Sequence, residues 1–249
     1  MTDWGGLQDA EGSADSIPDL LDRLTPNSSD LWERLWARLC PQGAVFPASL
    51  AALPYLSDLA ARWAPEERVE PLLLAGAILG SDEQYHQVFD VRDRYSAQIS
   101  VLRELTDDTL RTHAASKDSA NYVYLLQALM AFEGVDVWDS HLENLVTEEY
   151  EISCPSCDVD LFIVLGDPDC FATHQDYALK DDVISTPLRS ADPGELSGAP
   201  GLLHRTAVRD GCHAVARRLT YLFGTATCSQ CGTGLPIAER VAAAFGRDS

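Results

Sequence analysis

Between positions 19 and 146, the hydrophobic residues recur mostly at helical intervals, in short segments separated by proline and glycine. In residues 30–40, apolar positions 31, 32, 35, 36, 39 and 40 mark one face of a helix. Similar spacing predicts helices from Pro47 to Trp63, with Pro54 inside, from Pro65 to Leu79, and over 119–132. Short helices that are alternately half-apolar and wholly apolar are typical of stacked antiparallel pairs.

The two ends and the second half of the chain follow other patterns. Residues 1–17 are acidic and rich in Gly, Ser and Asp, which predicts a disordered tail. Residues 149–234 contain an alternating segment, a strand-like run at 158–165, a loop-like stretch at 166–201 and a helical stripe at 202–223. Residues 235–249 are predicted to form a C-terminal helix and tail. We therefore place the helical stack at 18–148.

Two C-x-x-C pairs carry the most specific chemistry of the sequence. They are Cys154 with Cys157 and Cys228 with Cys231, and Gly232 follows the second pair. Four thiolates arranged in this way are the ligand set of a tetrahedral structural Zn²⁺ site. The motif resembles a zinc ribbon. However, the pairs are separated by 70 residues (158–227), against about 15–20 in a compact zinc module, so the ribbon is expected to contain an insertion.

The sequence also allows three other interpretations of these four cysteines. Disulfides would require an oxidising compartment. A thioredoxin-like redox pair would lead into a helix, whereas Cys157 leads into a strand pattern. The pairs could also be unrelated to any metal. Cys170 and His174 could offer two ligands to a second metal, and Cys40 and Cys212 are expected to be small buried hydrophobes.

The helical runs are similar to the helix pairs of bacterial HEAT-like repeat proteins, here with an inserted Cys₄ zinc ribbon. The resemblance rests on residues 31–43, 49–56 and 72–79, covers about 28–147 and resumes near 202–245. It implies a mostly α fold, an α-solenoid-like stack of antiparallel helix pairs with a small β zinc-ribbon element. It also implies a concave face that binds partners rather than a known reaction.

Charge restricts the partners. The chain has 18 Lys and Arg against 39 Asp and Glu, a formal net charge of −21, which repels phosphate backbones and favours a basic protein partner. Nucleic acid is therefore disfavoured, although Arg205, Arg209, Arg217 and Arg218 fall on one predicted helix. The sequence has neither a signal-peptide pattern nor an apolar run of about 18 residues, so we expect a cytoplasmic protein without membrane contact.

These patterns favour an interaction or adaptor protein, of immunity or regulatory type, with a structural zinc site and an acidic binding surface. The metalloprotease, hydrolase, P-loop and Rossmann motifs are all missing from the sequence. The alternative is an enzyme with a pocket between the helical stack and the 166–201 loop. In that alternative, His86 or His174 would serve as the acid or base.

Overall fold

The protein divides into two units, Met1–Ser140 and His141–Ser249. The structure is a computed structural model that describes residues 2–81, 91–114, 119–167, 169–179 and 182–245, apart from the side chain of Ser119. Helices predominate, as the sequence predicts. The β content is larger than predicted, because the described residues include eight strands in three antiparallel sheets. The fold class is therefore mixed α and β rather than mostly α with one small β element.

The first unit is helical apart from one short hairpin near its N-terminus. Short 3₁₀ helices lie at Trp4–Gly6, Pro41–Gly43 and Pro65–Glu67. The hairpin consists of β1 (Gln8–Asp9) and β2 (Gly12–Ser13), and the α-helices are α1 (Ile17–Arg23), α2 (Ser29–Leu39), α3 (Pro47–Arg62), α4 (Val69–Leu79), α5 (Val91–Arg94), α6 (Ser96–His113) and α7 (Ser119–Glu133).

The N-terminal segment has defined structure where the sequence pattern predicts a disordered tail. Trp4 is buried, and its ring centroid lies 5.5 Å from that of Tyr55 on α3. Ala14 and Ile17 are completely buried, and the Ala10 N–H donates to the Arg38 carbonyl at 3.0 Å. The average composition of the segment concealed these few contacts, which together offset the cost of ordering it.

Helix α4 forms the centre of the first unit. Its second half is apolar on every side and is buried from several directions, where it packs against α3 and α7. Gly76 lies at the contact with α7. A methyl group added at this position would lie 2.7 Å from the Cβ and 2.8 Å from the Cα of Ala128. Glycine therefore permits the close approach of the two helices.

Gly76→Ala is expected to destabilise the first unit by about 1–3 kcal/mol, because the added methyl group must displace the α7 backbone. Chemical denaturation followed by tryptophan fluorescence measures the change, since all five tryptophans lie between residues 4 and 138. The matched variant adds Ala128→Gly, which removes the opposing methyl group and should recover part of the loss. If the Gly76→Ala variant is as stable as the wild type, the close contact between Gly76 and Ala128 is contradicted.

The second unit combines an antiparallel sheet with helices and a second hairpin. The four-stranded sheet has the order β3 (Glu149–Ser153), β4 (Asp160–Leu165), β5 (Cys170–Thr173) and β6 (Ser185–Pro187). The hairpin pairs β7 (Thr225–Thr227) with β8 (Gly234–Pro236). The helices are α8 (Asn144–Thr147), α9 (Gly198–Arg209), α10 (His213–Leu222) and α11 (Ile237–Phe245).

The segment between the two C-x-x-C pairs differs from the predicted loop and single helix. Strands β5 and β6 and the start of α9 lie within 166–201, and the described residues between them are loop, as predicted. The helical stripe at 202–223 belongs to two helices, because Gly211 adopts a φ of +77° and the Cys212 N–H bonds back to the Ala207 carbonyl at 2.9 Å. The hydrophobic spacing continues across this turn, which is why the pattern suggests one helix.

Within the described parts of the chain, none of the helices combines the length and apolar character needed to cross a membrane.

Candidate metal centre

The first cysteine pair occupies the turn of the β3–β4 hairpin. The strands pair up to Ser153 and Asp160, and the six residues between them form the turn. The Cys154 N–H donates to the Val159 carbonyl at 2.9 Å, and the Asp158 N–H donates to the Cys154 carbonyl at 2.9 Å. Asp158 has a φ of +56°, in the left-handed region that closes the turn.

The second pair occupies an equivalent turn between β7 and β8. The Cys228 N–H donates to the Thr233 carbonyl at 2.8 Å, and the Gly232 N–H donates to the Cys228 carbonyl at 2.9 Å. Gly232 has a φ of +78° and therefore holds the position that Asp158 holds in the first turn. The two hairpins thus present their cysteines in the same way. Only the second turn has glycine at the left-handed position.

The four sulfur atoms converge on one point. All lie within 4.8 Å of one another, with Cys154 and Cys231 separated by 3.7 Å and Cys157 and Cys228 by 3.8 Å. A regular tetrahedron with metal–sulfur bonds of about 2.3 Å has edges of about 3.8 Å, so these separations fit a four-thiolate metal site. Both separations are too long for a disulfide bond of about 2.05 Å, and none of the seven cysteines is in a disulfide.

Burial differs strongly among the four cysteines. Cys154 and Cys228, the first member of each pair, are each 1% exposed. Cys157 is partly exposed, and Cys231 is exposed. The cluster therefore has one side buried in the protein and one side near its surface, through which an ion could enter.

Hydrogen bonds give the two outer thiols different acidities. The hydroxyl and backbone N–H of Thr233 lower the pKa of Cys231 to about 6, and its sulfur lies 3.3 Å from the Thr233 hydroxyl oxygen. A backbone N–H from Val159 lowers the pKa of Cys157, but burial and the neighbouring thiols outweigh it and raise that pKa to about 12. One thiol of the cluster is therefore readily ionised, as a metal ligand must be.

Backbone pairing fixes the second hairpin to the end of the main sheet. Arg189, just beyond β6, and Thr225 on β7 exchange two N–H···O bonds of 2.9 Å. The Thr186 hydroxyl donates to the Thr227 carbonyl. On the other side, the Arg240 guanidinium on α11 donates to the Ser153 carbonyl at 3.3 Å. These contacts show how a chain segment of 70 residues leaves the first turn and returns to the second.

His174 supports the second cysteine turn. Its backbone N–H donates to the Ser229 hydroxyl at 2.9 Å, and its ring Nδ1 lies 2.7 Å from the same oxygen. Ser229 stands between Cys228 and Cys231, so this pair of bonds holds the turn against the end of β5. The sequence suggests His174 as a catalytic group but does not predict this contact, because no local pattern links residues 55 positions apart.

The remaining candidates lie elsewhere in the fold or outside its described part. Cys170 is on β5 and not on a helical turn, and positions four residues apart along a strand are separated by about 13 Å, so its spacing to His174 does not bring two ligands together. Cys40 is 4% exposed, and burial raises the pKa of its thiol to about 11. Cys212 is the residue before α10 and is partly exposed, so the prediction that it is buried is wrong. His86 lies outside the described residues, so its proposed role stays a prediction.

The predicted arginine patch is largely engaged within the second unit. Arg217 donates to the Gly166 carbonyl at 3.1 Å and lies over the Tyr221 ring. Arg218 forms an ion pair with Glu148 and donates to the Leu145 carbonyl at 3.3 Å. Both guanidinium groups therefore hold loops and a short helix in place.

Comparison of the chain with protein-family models, with curated proteins and with solved structures gave no significant match.

Proposed function

We propose that this protein is an interaction or adaptor module whose second unit is held together by one structural Zn²⁺ ion. Cys154, Cys157, Cys228 and Cys231 would be the four ligands. The single observation that carries the proposal is the closed set of four thiols at tetrahedral spacing. Four protein ligands leave no open position for a substrate or a reactive water, which is the distinction between structural and catalytic zinc sites.

The adaptor role is supported by charge and by the helical first unit. A net charge of −21 favours encounter with a basic protein surface. The contacts of α4 with α3 and α7 are consistent with a short HEAT-like stack of antiparallel helices, an arrangement that commonly presents a binding face. We further propose a reducing compartment such as the cytoplasm, where thiol ligands remain available to a metal.

Elemental analysis tests the metal. Mass spectrometry of the chain, purified without a metal-affinity tag, should find about one zinc per chain. It should find none in the variant carrying Cys154→Ser and Cys228→Ser. Iron at one per chain would assign the same cluster to a different metal, since four thiolates also suit iron, and would contradict zinc. Wild-type protein without bound metal would overturn the structural role.

Ionic strength tests the interaction role. The immobilised full chain should retain protein partners with basic surfaces at about 50 mM salt and release them at about 500 mM, because salt screens exposed charge pairs. The wild-type chain from which the metal has been removed by a chelator is the control, because it shows whether the folded second unit contributes to partner binding. Recovery of the same proteins at both salt concentrations, or of none, would contradict an electrostatically guided interaction.

A further inference from the structure

A groove in the first unit is lined by both apolar and charged side chains. It lies between α1 and α3, and its volume is about 450 Å³. The lining residues are Leu21, Asp22, Tyr55, Asp58, Leu59, Ala61 and Arg62.

The base of the groove is apolar and fixed. Leu21 and Leu59 are 3% and 4% exposed, so their side chains are anchored in the core while their outer edges line the groove. The Tyr55 ring is held by its contact with the buried Trp4, at 5.5 Å between ring centroids. An aliphatic stem that entered this groove would bury apolar surface against groups that are already ordered.

The rim of the groove is acidic on both walls. Asp22 projects from α1 and Asp58 from α3, and both are exposed. Within the described chain, neither carboxylate has a hydrogen bond or ion pair from a side chain. Arg62 also lines the groove, and its Nε donates to the Asp58 backbone carbonyl at 3.2 Å, which leaves the Asp58 carboxylate available.

We infer that this groove receives a lysine or arginine side chain from a protein partner. The apolar base matches the methylene stem of such a side chain, and the two carboxylates match its cationic head. The inference rests on the proposed function, because it names where the basic partner would be anchored. Arg62 is expected to oppose binding through charge repulsion, so its removal should strengthen the interaction.

Binding is tested on the full chain by methyl NMR with two probes, Nα-acetyl-lysine amide and Nα-acetyl-arginine amide. Nα-acetyl-norleucine amide, which has the stem without the charge, is the control probe. At least one basic probe should shift the methyl signals of Leu21, Leu59 and Ala61 saturably. The variant with Asp22→Asn and Asp58→Asn should raise the Kd at least about threefold, and Arg62→Gln should lower it.

A matched variant with Asp19→Asn and Asp30→Asn removes the same charge from exposed positions outside the groove and should leave the Kd unchanged. Equal binding of the norleucine probe, equal loss in both double variants, or no shift at the groove would overturn the inference. The salt-dependent capture experiment separates the two proposals. If the Asp22 and Asp58 variant still retains the partners, the adaptor role stands and the groove is not its anchor.

Discussion

Replacing Cys154 and Cys228 with serine is expected to abolish metal binding and to unfold the two cysteine hairpins. Both residues are 1% exposed, one in each turn, so the variant removes a buried ligand from both halves of the cluster. Structural Zn²⁺ contributes about 10–16 kcal/mol of apparent folding free energy in small domains, which is comparable to the whole stability of a domain, about 5–15 kcal/mol. We therefore expect the second unit to lose its cooperative structure rather than to become slightly weaker.

The two units allow this loss to be located. All five tryptophans lie between residues 4 and 138, within the first unit, so tryptophan emission reports on that unit. Amide hydrogen exchange should show lost protection at β3, β4, β7 and β8, while tryptophan emission stays close to that of the wild type. Removal of the metal by a chelator should produce the same exchange pattern in the unmodified chain.

Cys212→Ser is the matched control, because it changes a cysteine of the same unit that lies outside the four-thiol cluster. It should retain one metal ion per chain and protected hairpins. Wild-type protection in the Cys154 and Cys228 variant would show that the hairpins fold without the metal. Equal loss in the Cys212 variant would show that the unit is sensitive to any cysteine replacement.

The sequence predicts which four cysteines come together but not the architecture that assembles them. The spacing of the two pairs predicts one four-cysteine site, and the structure brings their sulfur atoms within 4.8 Å. The matching hairpin turns were harder to predict, because the first turn has Asp158 at the left-handed position where glycine is usual. The bridge between Arg189 and Thr225 is a pairing of residues 36 positions apart and leaves no local pattern.

Local hydrophobic spacing predicts helices more reliably than it predicts where they stop. The stripe of α2 predicts a helix at 30–40, and the structure places it at Ser29–Leu39. The stripe at 202–223 passes through the turn at Gly211, because α9 and α10 both bury apolar residues. The N-terminal segment shows the opposite error, since a few long-range contacts order a sequence whose composition suggests disorder.

Arg38→Met is expected to destabilise the first unit by about 3–5 kcal/mol, because it leaves a buried carboxylate without its partner. The Arg38 side chain is 8% exposed and forms an ion pair with Asp9, whose side chain is completely buried. The same guanidinium donates to the Ser16 hydroxyl and, at 2.9 Å, to the Ser13 carbonyl. Methionine keeps much of the side-chain volume but can replace none of these bonds.

A double-mutant cycle with Asp9→Asn separates the ion pair from the other contacts of Arg38. Asparagine is uncharged and can still accept the Glu11 N–H bond, which is 2.9 Å long in the wild type, so the double variant should be more stable than the two separate losses would predict.

Arg34→Met, an exposed change on the same helix, should stay within about 0.5 kcal/mol of the wild type. Urea denaturation measures the free energy of unfolding of all four variants. The rate of hydrogen exchange at the Ala10 amide reports on the opening of the N-terminal segment. If Arg38→Met costs no more than Arg34→Met, the ion pair does not fasten that segment to α2. The burial of Trp4, Ala14 and Ile17 and the backbone bond from Ala10 to Arg38 would then hold it in place.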